Sequence, residues 1–514
     1  MKGFHSECLV IGAGLSGLTA ARALVHSGIR PAILFDGRGA SPWVHGIGAP
    51  VHPDDSVDIF LKDTMDSGVV NDPALAHALC ADAPLVVQEV NEMGLSFNSA
   101  KGGGYQLLRP LGASQPRVIS IGNETGPAIM QKLLAELDGK ADAFSSCRAL
   151  RLIVQDGRVQ GAVAYSKKEE QFIAFFAKAV VLAGGGFCSV FPQTTNKKDA
   201  GGDAVAMAYH AGAQLRDMEF IQFEPSGAVW PESLRGTSMI TTMFFDGAVM
   251  RNGLGERFMD ERVPKDVMAR EIAKEINLGR GTLHGGIFFD ATKVGRERLN
   301  EAYPMYVKRY QDVGIDLATQ MIELAPAAHT SLGGVVIDVS CASTLSGLFV
   351  CGEAAGGVHG ANRIGGSAGL ETLVFGRRAG IAAAEYVKTA AKPDAHMPDE
   401  IENNPPPQDL RKEMQKTLNK NVGVLRCEDG LCEAEQTLEE LLRQASKYSG
   451  FEALRLENDL TAAMLLTKSA LCRRESLGCH TRTDSDAPAA SPYYTLIQMD
   501  SDGGCVVRKE AVRH

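Results

Sequence analysis

The 514-residue sequence predicts an α/β protein in which one ligand-binding parallel sheet is assembled from separated stretches of chain, interrupted by an inserted domain and followed by a helical one. Three observations predict it. The opening segment reads strand, glycine turn, helix, strand; two distant apolar runs also stop at glycines; and the texture changes sharply after Pro225 and again after Thr389.

Cys8-Leu-Val-Ile11 is a short apolar run of the kind buried in a sheet. Leu18 to Leu24 carries apolar residues at helical spacing, with Ala20, Ala21 and Ala23 small enough for close packing. Pro31-Ala-Ile-Leu-Phe35 is the second strand and ends at Asp36. Ala179-Val-Val-Leu-Ala183 stops at Gly184-Gly185-Gly186, and Gly347-Leu-Phe-Val-Cys351 stops at Gly352-Glu353. Between Pro225 and Ala325 there is more Arg, Met and Phe and no glycine-terminated strand pair, which marks an insertion. Ala379–Thr389 reads as a helix. Lys392 to Asp409, with Pro393, Pro398 and Pro405-Pro-Pro407, is a linker by composition. Leu410 to Arg474 is mostly helical, and Tyr493 to Val507 alternates like a hairpin around Asp502-Gly-Gly504.

The bulk numbers narrow the function. A charge of −10, from 62 acidic against 52 basic residues without like-charge runs, argues against a nucleic-acid surface. The 11 cysteines are scattered without paired CxxC motifs, so no metal site is expected and a reducing compartment, the cytoplasm, is. The first apolar run is too short for a signal peptide, and no stretch of roughly 18 uncharged apolar residues exists to span a membrane.

Chemistry begins at the first turn, Gly12-Ala13-Gly14-Leu15-Ser16-Gly17. In a Gly-x-Gly-x-x-Gly turn between strand and helix, the first glycine allows the tight turn. The second lets backbone approach a pyrophosphate, and the third lets helix and strand pack. The helix N-terminus then faces the phosphates, and Asp36, followed by Gly37, is placed to accept hydrogen bonds from a ribose. A Rossmann-like dinucleotide site follows from that context, without a choice between NAD and FAD.

Further segments resemble the flavoprotein family of fumarate reductase, succinate dehydrogenase and L-aspartate oxidase. They are Ala183-Gly184-Gly185-Gly186, Thr194-Thr-Asn196 with Gly202-Asp203, Asp217–Phe223, Ala328-His329-Thr-Ser-Leu-Gly-Gly334, and Arg474–Arg482. The most specific is Gly352-Glu353 followed by His359-Gly-Ala-Asn-Arg363-Ile-Gly-Gly366. The match runs nearly end to end, in the family's order.

The resemblance implies a glutathione-reductase-type FAD domain from residues 1–225 and 328–391, an α+β capping domain over 226–327, a linker at 392–409, and a helical C-terminal domain with terminal strands over 410–514. It implies that Asp203 and Glu353 hold ribose or ribityl groups, and that Ser367, Ala368, Gly369 and Leu370 face the isoalloxazine. Gly46 and Gly48 belong to the segment where some relatives attach FAD covalently through histidine. His45 falls nearer the family's glutamine than that histidine, so non-covalent FAD is expected.

It further implies hydride exchange between flavin N5 and a small carboxylic acid. His329 and Arg363 match the family's histidine and carboxylate-clamping arginine; a guanidinium fork grips a carboxylate at two points. Other positions depart. A histidine is replaced in Gln222-Phe-Glu224-Pro-Ser226, a Thr-Glu pair by Thr241-Thr242, and the proton-donating arginine by Lys265. A carboxylate at Glu224 costs on the order of several kcal/mol if one end of a dicarboxylate sits beside it, dry and charged. Either Glu224 is protonated, or it pairs with Lys265, or the substrate is neutral or cationic there. The expected substrate is therefore altered from fumarate or succinate. Two other readings stand beside it: an amino-acid oxidase like L-aspartate oxidase, and an electron-transfer subunit with an iron–sulfur partner. Arg109–Ser114 is closer to the succinate and fumarate enzymes than to the oxidase.

Overall fold

The computed structural model describes residues 1–110, 112–122, 124–197, 200–485 and 491–512. Leu111 of the Arg109–Ser114 segment and the end of the 410–514 region lie outside the described residues.

Strand β1 (Lys2–Ile11) is buried over Cys8–Ile11, as a strand covered on both faces must be. Helix α1 (Leu15–His26) and β2 (Ala32–Phe35) follow. β1 pairs in parallel with β2 on one side and with β3 (Gln171–Leu182) on the other; Leu348–Val350 also joins β3 in parallel. Asp142–Ser145 extends the sheet beyond β2, and an antiparallel meander, Cys147–Gln155 and Arg158–Ser166, extends it beyond β3. The three glycine-terminated runs thus lie side by side: Ile11 opposite Leu182, and Leu182 opposite Val350.

A four-stranded antiparallel sheet forms the insertion: β4 (Ile221–Trp230), β5 (Ile322–Ser331), Ile287–Asp290 and Val249–Arg251 in that order. The expected domain edges, 225/226 and 327/328, fall inside β4 and β5. These two strands are the stems that carry the chain between the halves. Between Glu224 and Gly227 the β4 register shifts against β5, and Pro225, which has no N–H to give, sits in that bulge. Helix α2 (Lys265–Glu275) packs Met268, Ala269 and Ile272 inward.

The final helix of the nucleotide-type half, α3 (Ser367–Thr389), begins twelve residues earlier than the sequence indicates. Beyond residues without regular structure come helices Asp409–Asn421, Glu428–Ala445 and Phe451–Cys472, which bury a separate apolar core. The hairpin spans Tyr493–Met499 and Cys505–Ala511, and pairs with Leu215–Arg216 of the first half. Arg473, fully buried, fastens this junction through Glu219 at 2.6 Å and Glu475 at 2.8 Å. His480 Nδ1 can only accept from Arg426 at 2.7 Å, which puts its proton on Nε2, toward the Arg473 carbonyl. All eleven cysteines are free thiols. No helix among the described residues is long and apolar enough to cross a membrane.

Candidate active site

At the C-terminal ends of β1, β3 and the Leu348–Val350 strand opens a cavity of about 1080 Å³. That exceeds the ~300–1,000 Å³ of ordinary small-ligand sites and leaves room for a dinucleotide with a second molecule. Gly12 adopts φ +114°, and its N–H donates to Leu34 O at 2.8 Å. A Cβ there would stand 2.2 Å from Ala183 O, and one on Gly17 would stand 2.0 Å from Gly12 O. The turn therefore brings backbone against backbone and leaves its outer face open, which is the fit a pyrophosphate needs.

Gly12, Ala13, Gly14, Ser16, Asp36, Gly37, Gly46, Ala183, Gly184, Gly185, Asp203, Glu353, Ala368 and Gly369 all line this cavity. Leu15, Gly17, Gly48, Gly352, Ser367 and Leu370 do not; they stand behind the wall. Leu15 and Leu370 are fully buried core residues, Gly48 N–H donates to Gly366 O at 3.1 Å, and Gly352 lies against Ser16.

Two acidic wall residues are already tied to the protein. Asp36 is 2.7 Å from Lys167 Nζ and 3.6 Å from Arg148, whose Nε donates to Asp203 at 2.8 Å. Asn458, on a C-terminal helix, donates to the other Asp203 oxygen at 2.7 Å. Arg148, Lys167 and Asn458 carry no motif in the sequence. Glu353 accepts from Ser331 N–H at 3.0 Å, and burial pushes its carboxyl above the usual range.

Five side chains from five segments line the far end: Glu224 from β4, Thr241 from a short 3-10 turn, Lys265 at the first turn of α2, His329 from β5, and Arg363 from the stretch before α3. Lys265 Nζ donates to Glu224 Oε2, and Ser226 Oγ donates to Glu224 Oε1 at 2.6 Å. Of the three states open to Glu224, the structure shows the ion pair. Burial alone would raise the Glu224 pKa, but the Lys265 charge and the hydrogen bonds from Lys265 and Ser226 outweigh it and hold it below the ordinary value. His329 is pushed down to about 3, first by burial and then by Arg363. Near neutral pH it is therefore an uncharged imidazole.

Its Nδ1 is fixed 2.7 Å from Thr195 Oγ1, a contact for which Thr194-Thr-Asn196 was the only sequence signal. Arg363 Nε donates to Gln222 Oε1 at 3.1 Å, and Gln222 Nε2 donates to the Arg363 carbonyl at 3.0 Å. Burial pulls the guanidinium below its ordinary pKa against the carboxylates of Glu353, Glu224 and Glu371. His359 of the same motif bonds Glu371 at 2.9 Å and is buried, a structural role.

Comparison with known proteins agrees with this geometry. Residues 7–368 match the FAD binding domain family and residues 411–512 the fumarate reductase flavoprotein C-terminal family. The chain is 34% identical over 520 residues to a subunit of the fumarate reductase (CoM/CoB) of Methanothermobacter marburgensis, covering 94% of each. It is 31% identical over 516 residues to L-aspartate oxidase of Streptomyces coelicolor, covering 93% of this chain and 88% of that one. Among solved structures, Mycobacterium smegmatis Sdh1 in complex with UQ1 superposes with a TM-score of 0.89 at 29% identity, over 100% of this chain and 95% of the other.

Proposed function

Because this chain belongs to the FAD-dependent fumarate reductase and succinate dehydrogenase flavoprotein family, we propose that it interconverts a C–C single and double bond beside the carboxylate of a small acid other than fumarate or succinate. FAD is its cofactor, and when bound supplies or takes the two electrons of the exchange. The turn at Gly12–Gly17, Asp203 and Glu353 would hold it, without a covalent bond because His45 falls nearer the family's glutamine than its linking histidine.

The observation that carries the reading is the convergence of Arg363, His329 and Lys265 on the same cavity as the dinucleotide cradle. Arg363 and neutral His329 grip a carboxylate, the first by charge and the second by an N–H. Lys265, across the cavity on α2, gives or takes the proton at the carbon next to it. Thr241 offers a neutral hydroxyl beside the same carbon chain.

The test is to reduce the purified holoprotein chemically and follow reoxidation by unsaturated acids without oxygen. Reoxidation by one or more of them is expected. Fumarate acting at ~10 per second or faster would overturn the altered substrate. Reduction of the oxidised holoprotein by an L-amino acid, with no enoic acid reacting, would transfer the chain to the amino-acid oxidase reading, which Glu224 as an ammonium partner favours. An iron–sulfur partner fits the relative whose name makes it part of a larger enzyme, and the eleven free thiols fit the cytoplasm.

A further inference from the structure

Around the substrate end of the cavity, Arg363 and Lys265 are opposed by Glu224, and Glu353 and Glu371 add negative potential at Arg363. Lys265 is spent on Glu224, which leaves the Arg363 positive charge to meet a bound acid. One carboxylate of a bound acid is matched by that charge; a second is not. Its place beside Glu224 is taken by an anion that Lys265 and Ser226 already satisfy.

The wall beyond Glu224 carries several large apolar side chains among the hydroxyls of Ser238, Thr241 and Thr242. Ser226 Oγ also lies 2.6 Å from the Met239 carbonyl, so Met239 and Ile240 adjoin Glu224. Tyr306 lies close enough to feel the Glu224 charge. Phe245, Pro304 and Met305 complete that side, and Phe245 and Met305 keep 64% and 44% of their surface exposed at the cavity rim. Large apolar side chains flanking an open cavity are unfavourable in water and gain when an apolar group covers them.

Resting on the enoic-acid reading above, we propose that the substrate is a 2-enoic monocarboxylic acid with an apolar β-substituent, its carboxylate on Arg363 and His329 and its tail along Met239, Ile240, Phe245 and Met305. Redox balance is that of any such saturation: two electrons and two protons add across one C=C bond. The electrons and one proton come from the reduced cofactor, and the other proton comes from Lys265 Nζ, which solvent then reprotonates.

The experiment compares (E)-2-hexenoate, crotonate and fumarate as oxidants of the chemically reduced holoprotein, and hexanoate, butanoate and succinate as ligands of the oxidised holoprotein by calorimetry. Burying each methylene is worth about fourfold in affinity. Expected are a KM falling roughly 15-fold from crotonate to 2-hexenoate, kcat/KM for 2-hexenoate at least tenfold above fumarate, and hexanoate binding at least tenfold tighter than succinate. Fumarate equal to or better than 2-hexenoate, or no effect of chain length, would overturn the apolar monocarboxylate while leaving the enoic-acid chemistry in place. Failure of every enoic acid to reoxidise the flavin would overturn both. Glu224→His is expected to move the kcat/KM ratio at least tenfold toward fumarate with an unchanged flavin spectrum. If that variant loses its flavin, Glu224→Gln serves instead, and a ratio unmoved in a flavin-loaded variant counts against Glu224 as the selector.

Discussion

Lys265 Nζ donates a hydrogen bond to Glu224 Oε2, joining the first turn of α2 to β4 across 41 positions of chain. The pair aims the ammonium into the cavity and spends part of its charge on the protein. Lys265→Met should lower turnover about 10³-fold, the range of a positioned proton donor, with the bound-flavin spectrum intact. It also strands the Glu224 carboxylate, 5% exposed, at a cost of ~2 kcal/mol; the third of Lys265 left in solvent keeps this below a fully dry pair. Stopped-flow reduction together with thermal melts measures both, and full turnover in the variant would remove Lys265 from the chemistry.

Arginine in place of lysine does not restore a dicarboxylate site while Glu224 remains. Lys265→Arg alone should leave fumarate reduction at background, whereas Lys265→Arg with Glu224→His should raise it by an order of magnitude or more. Rescue by the single change would show that Glu224 does not oppose the second carboxylate.

Thr195 holds His329 by its Nδ1 and so decides which way Nε2 points. Thr195→Val keeps the shape and loses the hydroxyl. A KM increase of about tenfold with kcat changed less than threefold is expected, because the clamp loosens while the proton donor stays. A steady-state comparison over pH 6–8 settles it, and an unchanged KM would make the contact incidental.

The pH dependence of stability carries a sign fixed by His329. Its folded pKa of about 3 lies below the ordinary 6.5, so the unfolded chain binds a proton there first. That contribution to stability is intact above pH 6.5 and erodes as pH falls from 6.5 toward 3. Between pH 7.5 and 5 the melting temperature of the wild type should drop further than that of His329→Asn. Equal slopes would place the histidine's titration elsewhere.

What could be read in the sequence was local. The Gly12–Gly17 turn announces itself because Gly12 and Gly17 answer steric demands that no other residue meets. Arg363 and His329 were legible through their motifs. Lys265 and Glu224 were visible as departures, but whether they touch depends on how α2 lies on β4, which no spacing states. Arg148 was invisible: one arginine in an ordinary strand, given meaning only by Asp36 and Asp203 on either side. The start of α3 was missed because Gly369, Gly376 and Gly380 blur its periodicity; the last two are there so that the helix can lie against α1. The inserted domain's edges came out inside β4 and β5 because composition follows burial, whereas strand pairing continues past the change.

The dinucleotide cradle and the five converging side chains share one unpartitioned cavity. With FAD on the cradle and the proposed acid on Arg363, the two would share that cavity, and either one, bound alone, would leave its neighbour's berth to water. Their affinities are linked, and linkage is reciprocal: whatever factor the flavin adds to the grip on the acid, the acid adds to the retention of the flavin. A saturating acid should lower the dissociation constant of the flavin by that same factor, so that each ligand serves as the other's preservative.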